Sequence, residues 1–211
     1  IDPVRFLGNK SSGRQGLAIA AAAARAGARV RVIAANIDDS VMACLPSSVE
    51  VTRVGSAQQM REATLAQVRG ADALVMTAAV ADFRPEATHA SKMKKDPMTG
   101  DAPTLRLVRN PDILSEVGHG PHRPPLVIGF AAETGTDEEI LAYGADKAAR
   151  KGADYIALNR VGAGVGFGDV PNDIRLLDAA GRIVGRYTGS KDEVAAGLIG
   201  QVAAFLDSLE R

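Results

Sequence analysis

Six short stretches of this sequence carry side chains whose type and spacing suit work on a phosphorylated ligand. The loop Gly8-Asn9-Lys10-Ser11-Ser12-Gly13 leads into an alanine-rich helical run. Its glycines and hydroxyls expose backbone N–H groups at a helix N-terminus, which favours an anion; the same composition also serves plain helix capping. Asp82 closes the run Ala78-Ala79-Val80-Ala81 after a continuous apolar stretch. A carboxylate there suits a divalent cation or a ribose hydroxyl, and equally an Asx turn. Lys92-Met93-Lys94-Lys95 follows in an aperiodic segment. Lysines over nucleotide phosphates offset charge developing on phosphorus, although a short lysine run is otherwise a solvated face.

The other three are Asn110-Pro111-Asp112-Ile113-Leu114, Gly129-Phe130-Ala131-Ala132-Glu133-Thr134, and the pair Lys147 and Lys151. The first reads as a proline-led helix start with an acidic first turn. In the second, Phe130 can stack on a base or simply pack. The third puts two cations on one helix face, one turn apart.

Near-miss motifs narrow the chemistry. A P-loop needs Lys then Ser or Thr after its second glycine, and here Arg14 and Gln15 follow Gly13. The glycines at 8, 13 and 16 do not have the dinucleotide spacing, and no acidic residue ends the second apolar run. Tyr143 and Lys147 have the Tyr-x-x-x-Lys spacing of short-chain reductases, but the first loop lacks that family's glycines. His89, His119 and His122 show no metal-ligand spacing.

Elements must hold these stretches in place. Residues 4–7, 29–33, 49–54, 73–78, 105–108, 126–131 and 155–158 read as strands. Helices are predicted to about residue 26, over 57–69 after the N-cap Ser56, from Pro111, over 137–151, and from Ser190 to about 209. Gly27 reads as a helix-ending glycine. Residues 174–177 and 183–187 flank a turn and predict a hairpin. Residues 81–103 and the glycine-rich 162–168 read as loops. The alternation predicts a single Rossmann-like, three-layer α/β domain: a mostly parallel central sheet, helices on both faces, and a C-terminal β-hairpin plus helix. Ligands bind such sheets at the strands' carboxyl ends.

Bulk properties are permissive. Lys plus Arg and Asp plus Glu number 25 each among 211 residues, so no global charge draws nucleic acid. No apolar run approaches the ~18 residues of a membrane span, so neither nucleic acid nor membrane is an expected partner. Cys44 is the only cysteine, which fits a reducing cytoplasm.

Taken together and in order, these stretches resemble the phosphopantothenate–cysteine ligase domain of bacterial bifunctional coenzyme A biosynthesis proteins. The residues that carry the likeness are Asp2-Pro3-Val4-Arg5, Asn9, Ser11-Ser12-Gly13, 78–82, 92–95, 110–114 and 129–134. The resemblance implies a CTP-dependent ligation of L-cysteine to 4′-phosphopantothenate through an acyl-cytidylate, with Mg2+ or Mn2+. It implies Asn9 and Lys92 as catalytic. It assigns CTP contacts to Ser11, Ser12, Gly13, Met76, Thr77, Ala78, Asp82, Lys92, Pro111, Asp112, Ile113, Leu114, Phe130, Lys147 and Lys151, with Asp82 also near the metal. It further implies a homodimer, expected in the cytoplasm; the hairpin strands from Ile174 to Tyr187 are expected to form part of the interface, since exposed strand edges invite pairing. The opening at Ile1 matches the junction after the family's flavin-dependent decarboxylase domain, so 1–211 is expected to be a ligase fragment with no flavin. Gly8 stands where many members carry Ser, and Arg14-Gln15 replaces a common Lys-Met pair.

Overall fold

The alanine-rich run after Gly13 forms the first helix, α1 (Arg14–Arg25), in a computed structural model that describes residues 1–94, 102–133, 136–160 and 172–211. Alanine favours helix. The helix ends in a Schellman turn, with the Ala28 N–H on Ala23 O and the Gly27 N–H on Ala24 O. There follow β1 (Arg31–Ala35), the one-turn α2 (Asp39–Met42), β2 (Glu50–Val54), α3 (Ala57–Gln67) and β3 (Ala73–Met76). Next come β4 (Phe83–Pro85), β5 (Leu107–Arg109), α4 (Ile113–Gly118), β6 (Leu126–Glu133) and α5 (Asp137–Lys151). The chain closes with β7 (Tyr155–Arg160), β8 (Asn172–Asp178), β9 (Ile183–Gly189) and α6 (Lys191–Leu209). Ser56, Thr136 and Ser190 cap α3, α5 and α6, the last two in reciprocal capping boxes with Glu139 and Glu193. Each cap is worth about 1 kcal/mol.

The main sheet has the order β3-β6-β7-β8-β9. β3, β6 and β7 are parallel; β8 and β9 return antiparallel as the expected hairpin. Alternation along the strands divides the core. Leu126 and Ile128 of β6, Ala157 of β7, and Ile174 and Leu176 of β8 pack against α1 and α6. Val127, Ala131, Ile156 and Leu158 face the other way, against α3, α4 and α5. Leu126, Val127 and Ile128 are fully buried, as a continuous apolar strand requires. Helices therefore cover both faces. A separate parallel pair, β1-β2, lies under the far side of α1, where Leu17 meets Ala34 and Met42. No helix among the described residues is long and apolar enough to cross a membrane.

Several expectations are corrected. Residues 4–7 form no strand. The Asp2 carboxylate takes the Val4 N–H and the Arg5 side chain, and Asp2 and Arg5 bridge to each other, so the chain curls on itself. Val4, Phe6 and Leu7 are left exposed. The 81–103 segment is not all loop, because β4 pairs antiparallel with β5. Pro111 precedes the helix instead of entering it: Asp112 is the N-cap of α4. Lys95, Thr134 and the glycine-rich 162–168 loop lie outside the described residues.

Candidate functional site

Two close approaches seat the N-terminus of α1. Gly13 is its N-cap, with φ 74°, and a Cβ there would lie 2.4 Å from Ile37 Cδ1. A Cβ on Gly16 would lie 2.5 Å from Thr77 Oγ1. The helix start is thus wedged between the chain leaving β1 and the chain leaving β3, at the carboxyl ends of both strands. Ser11 and Ser12 are exposed just before it, and Ser11 Oγ accepts a long bond from the Gly13 N–H at 3.4 Å. The helix dipole and the N–H groups of the first turn favour an anion at such a position. Asn9 sits beside the β3 exit: its Nδ2 donates to Val80 O at 3.3 Å.

That exit is knitted to the start of α4. The Asn110 N–H donates to Asp82 O at 2.8 Å, and Asn110 Nδ2 donates to Ala81 O at 2.8 Å. Arg84 donates to Arg109 O at 2.6 Å and to Asn110 Oδ1 at 3.3 Å. Asp82, an exposed side chain, is therefore held one short step from Pro111 and the N-cap Asp112, whose carboxylate accepts the Ser115 N–H. Ile113 and Leu114 are buried in the core. These two side chains therefore face the core, and only their backbone groups and the Asp112 carboxylate are left to face away from it. Sequence reasoning singled out Asp82 but missed Arg84, whose role is visible only once β4 pairs with β5.

The lysines of α5 meet this strip from the side. Lys151 forms an ion pair with Asp112. Burial pushes the Asp112 carboxyl up, but Lys151 and the Ser115 N–H outweigh it and leave the group below the usual carboxylate range. Lys147 Nζ lies 3.7 Å from Glu133 at the end of β6 and 5.6 Å from the Tyr143 ring centroid. The Tyr-x-x-x-Lys spacing here makes a cation–π contact. Burial pulls the Lys147 amine below the usual lysine range; Glu133 opposes that shift and Lys151 adds to it. Glu133, one residue before the undescribed Thr134, was not given a role from sequence. α4 and α5 touch backbone to backbone: a Cβ on Gly118 would fall 1.9 Å from Lys151 O, and one on Gly152 2.7 Å from Gly118 O.

Met76 is in register with Gly129, placing Thr77 and Ala78 beside Phe130. Phe130 is half-buried and packs against the α1–α6 side of the core. Asn159, at the end of β7 and in register with Ala132, buries its Oδ1 with no partner among the described residues. A buried, unsatisfied amide oxygen asks for a donor, and it too escaped sequence reasoning. Lys92 is exposed, and among the described residues no hydrogen bond or ion pair joins the Lys92 or Asp82 side chain to Lys147 or Lys151.

Among the described residues, no three His, Cys, Asp or Glu side chains cluster to hold a cation. Asp82 stands as one carboxylate. One carboxylate with nucleotide phosphates is a common way of holding Mg2+, so this donor set fits a cation that arrives with a triphosphate. A cleft of about 340 Å³ lined by Leu65, Val68, Glu116, Val117 and Pro121 lies between α3 and α4 and contains none of the candidate residues.

Known proteins match nearly the whole chain. The model for the DNA/pantothenate metabolism flavoprotein C-terminal domain matches residues 1–206. The coenzyme A biosynthesis bifunctional protein CoaBC of Mycobacterium tuberculosis is 42% identical over 98% of this chain and 50% of its own length. The protein of the same name from Haemophilus influenzae is 38% identical over 96% of this chain and 48% of its own. The chain thus spans about half the length of the curated relatives it matches. Among solved structures, a C-terminal domain of a CoaBC protein superposes with a TM-score of 0.74 at 30% identity, covering 99% of this chain and 90% of that one.

Proposed function

We propose, from the premise that this chain belongs to the family of DNA/pantothenate metabolism flavoprotein C-terminal domains, that it joins L-cysteine to 4′-phosphopantothenate using CTP. The observation that carries this reading is the continuous strip from Asn9 through Val80, Asp82, Asn110 and Asp112 to Lys151. It runs past the carboxyl ends of parallel strands, where α/β sheets hold nucleotides.

In the first step a carboxylate oxygen of phosphopantothenate attacks the α-phosphorus of CTP. An acyl–O–P bond forms, the bond to the β-phosphate breaks, and pyrophosphate leaves. Two anions must be brought together, so positioning and charge dominate. Ser11, Ser12 and the amides at the start of α1 would cradle phosphate. Lys92, Lys147 and Lys151 would offset its charge, and Asp82 would hold Mg2+ beside it. Backbone groups at Met76, Thr77 and Ala78, with those of residues 111–114, would read the nucleoside against Phe130. In the second step the amine of cysteine attacks the acyl carbon, the amide bond forms, CMP leaves, and the ammonium proton passes to solvent. Asn9 Nδ2, which donates to Val80 O at a long 3.3 Å, would donate to the oxyanion as it forms.

A homodimer belongs to the same proposal. β9 is the outer strand of the five-stranded sheet and exposes Ile183 and Val184, an edge suited to pairing. The proposal also places a flavin-dependent decarboxylase domain before this one in a longer, cytoplasmic polypeptide, with the flavin confined to that domain. The test is pyrophosphate release measured with CTP, Mg2+ and phosphopantothenate, together and with each omitted. Turnover that needs all three supports the assignment; turnover with another nucleotide and none with CTP removes it. Asn9→Ala is expected to accumulate acyl-cytidylate, visible by mass spectrometry. Normal product formation without that intermediate would take Asn9 out of its role.

A further inference from the structure

Lys92 is exposed on a long, flexible stem, so its place is set by the backbone next to it. That backbone is gripped from the start of the chain. The Met93 N–H donates to Asp2 Oδ2 at 3.1 Å, and Met93 O accepts from Arg5 Nη2 at 2.9 Å. Both polar groups of one residue are thus held by one ion pair, whose members lie 91 and 88 positions earlier in the chain. Asp2 also accepts from Arg5 Nε at 2.9 Å, from Arg5 Nη2, and from the Val4 N–H at 3.0 Å. Its side chain is 0% exposed, against 45% for Arg5. The Arg5 guanidinium holds the Asp2 carboxyl well below the usual carboxylate range. The neighbouring His89 N–H donates to Ile1 O at 3.0 Å.

We propose that Asp2 and Arg5 are positioning residues: together they clasp the Met93 backbone and hold Lys92 at a set distance from Asn9. This rests on the role given to Lys92 above. Asn9 lies four residues beyond Arg5 and reaches Val80, so residues 1–9 touch the 80–93 excursion at three points. The geometric consequence is chemical. In the roles given above, the acyl group would lie by Asn9 and the α-phosphate by Lys92, and both belong to the acyl-cytidylate. A pair of groups acting on the same molecule loses rate steeply when their spacing drifts, roughly 100-fold for a 1 Å displacement. An exposed Asp–Arg pair would ordinarily do little. Here the fully covered carboxylate takes four hydrogen bonds, and two of its partners are the Met93 N–H and the arginine that holds Met93 O.

The experiment compares Asp2→Ala, Arg5→Ala and the milder Arg5→Lys with Lys92→Ala in the intact protein. Two independent readouts are followed: hydrogen exchange at the Met93 amide with tryptic cleavage after Lys92 and Lys94, and the rate of pyrophosphate release. Asp2→Ala and Arg5→Ala should speed exchange and cleavage, and lower kcat by roughly 100-fold with little change in the KM for CTP. Arg5→Lys keeps the charge but not the two-pronged reach, and should fall between; it also serves if an alanine variant folds poorly. Unchanged exchange and cleavage would show there is no clasp. Faster exchange with the parent rate would show a clasp that positions nothing. If Lys92→Ala alone keeps the parent rate, the role of Lys92 falls and the proposal with it, while the exchange data still report on the clasp.

Discussion

Replacing Gly13 with alanine imposes two separable costs at the start of α1. The first is conformational. Gly13 has φ 74°, a region where a Cβ meets the following carbonyl, at about 1 kcal/mol or a little more. The second is steric. The new methyl would lie 2.4 Å from Ile37 Cδ1 and 2.8 Å from Cγ1. Ile37 packs against the Leu17, Ala34 and Met42 cluster, so it must leave its rotamer, at about 1 kcal/mol. The sum is about 2 kcal/mol, or a fall in Tm of roughly 4–8 °C for a chain of this size. Urea denaturation of the parent, Gly13→Ala, Ile37→Ala and the double variant separates the terms. Ile37→Ala should remove the clash and leave the conformational cost, so the double variant should be about 1 kcal/mol more stable than additivity requires. Strict additivity would refute the steric argument. A Gly13→Ala protein as stable as the parent would refute both.

Three further outcomes are expected. Asp154 Oδ2 accepts the Val127 N–H at 2.7 Å and Arg123 Nη2 at 2.6 Å, so Asp154→Ala should strand the donor of a fully buried residue and cost about 2–3 kcal/mol in urea, with kcat unchanged. Asp112 titrates below the ordinary carboxylate range in the fold, so its stabilising effect is present above that range and is lost as pH falls through the folded value; Asp112→Asn, which can still cap α4, should flatten this part of the acid limb of a Tm–pH curve. Lys147 titrates below the ordinary lysine range, so CTP affinity measured by calorimetry should begin to fall at a pH below that of a free lysine, and Lys147→Arg, which stays charged, should abolish that limb.

What could be read from the residues depended on whether the cause was local. The starts of α5 and α6 follow from Thr136–Glu139 and Ser190–Glu193, caps contained within four residues, and the end of α5 follows from Gly152, whose φ of 61° suits glycine. β6 is legible because its apolar run is unbroken. Residues 4–7 have strand-like composition, but Asp2 captures the Val4 N–H that a ladder would need. β4 has three residues and ends in Pro85, and it exists because residues 107–110 bind it from far along the chain. The same distinction holds at the candidate site. Gly13, Asp82 and Asp112 announce themselves by position after a strand or before a helix. The partners Glu133 for Lys147, and Arg84 and Asn110 for the Asp82 segment, arise only when the sheet is assembled.

The meeting of Gly118 with Lys151 and Gly152 has a bearing on how such a domain can diverge. Most helix pairs are spaced by side chains, which can be exchanged for larger or smaller ones with a modest shift. Here the spacer is the peptide backbone itself, since a methyl group on Gly118 would sit 1.9 Å from Lys151 O. The gap between α4 and α5 is therefore set by backbone atoms in van der Waals contact, with no side chain through which successive substitutions could tune it. Surfaces around the two helices are free to drift. The separation of Asp112 from the stem of Lys151 is not, and a lineage that lost either glycine would have to rebuild both ends of that ion pair together.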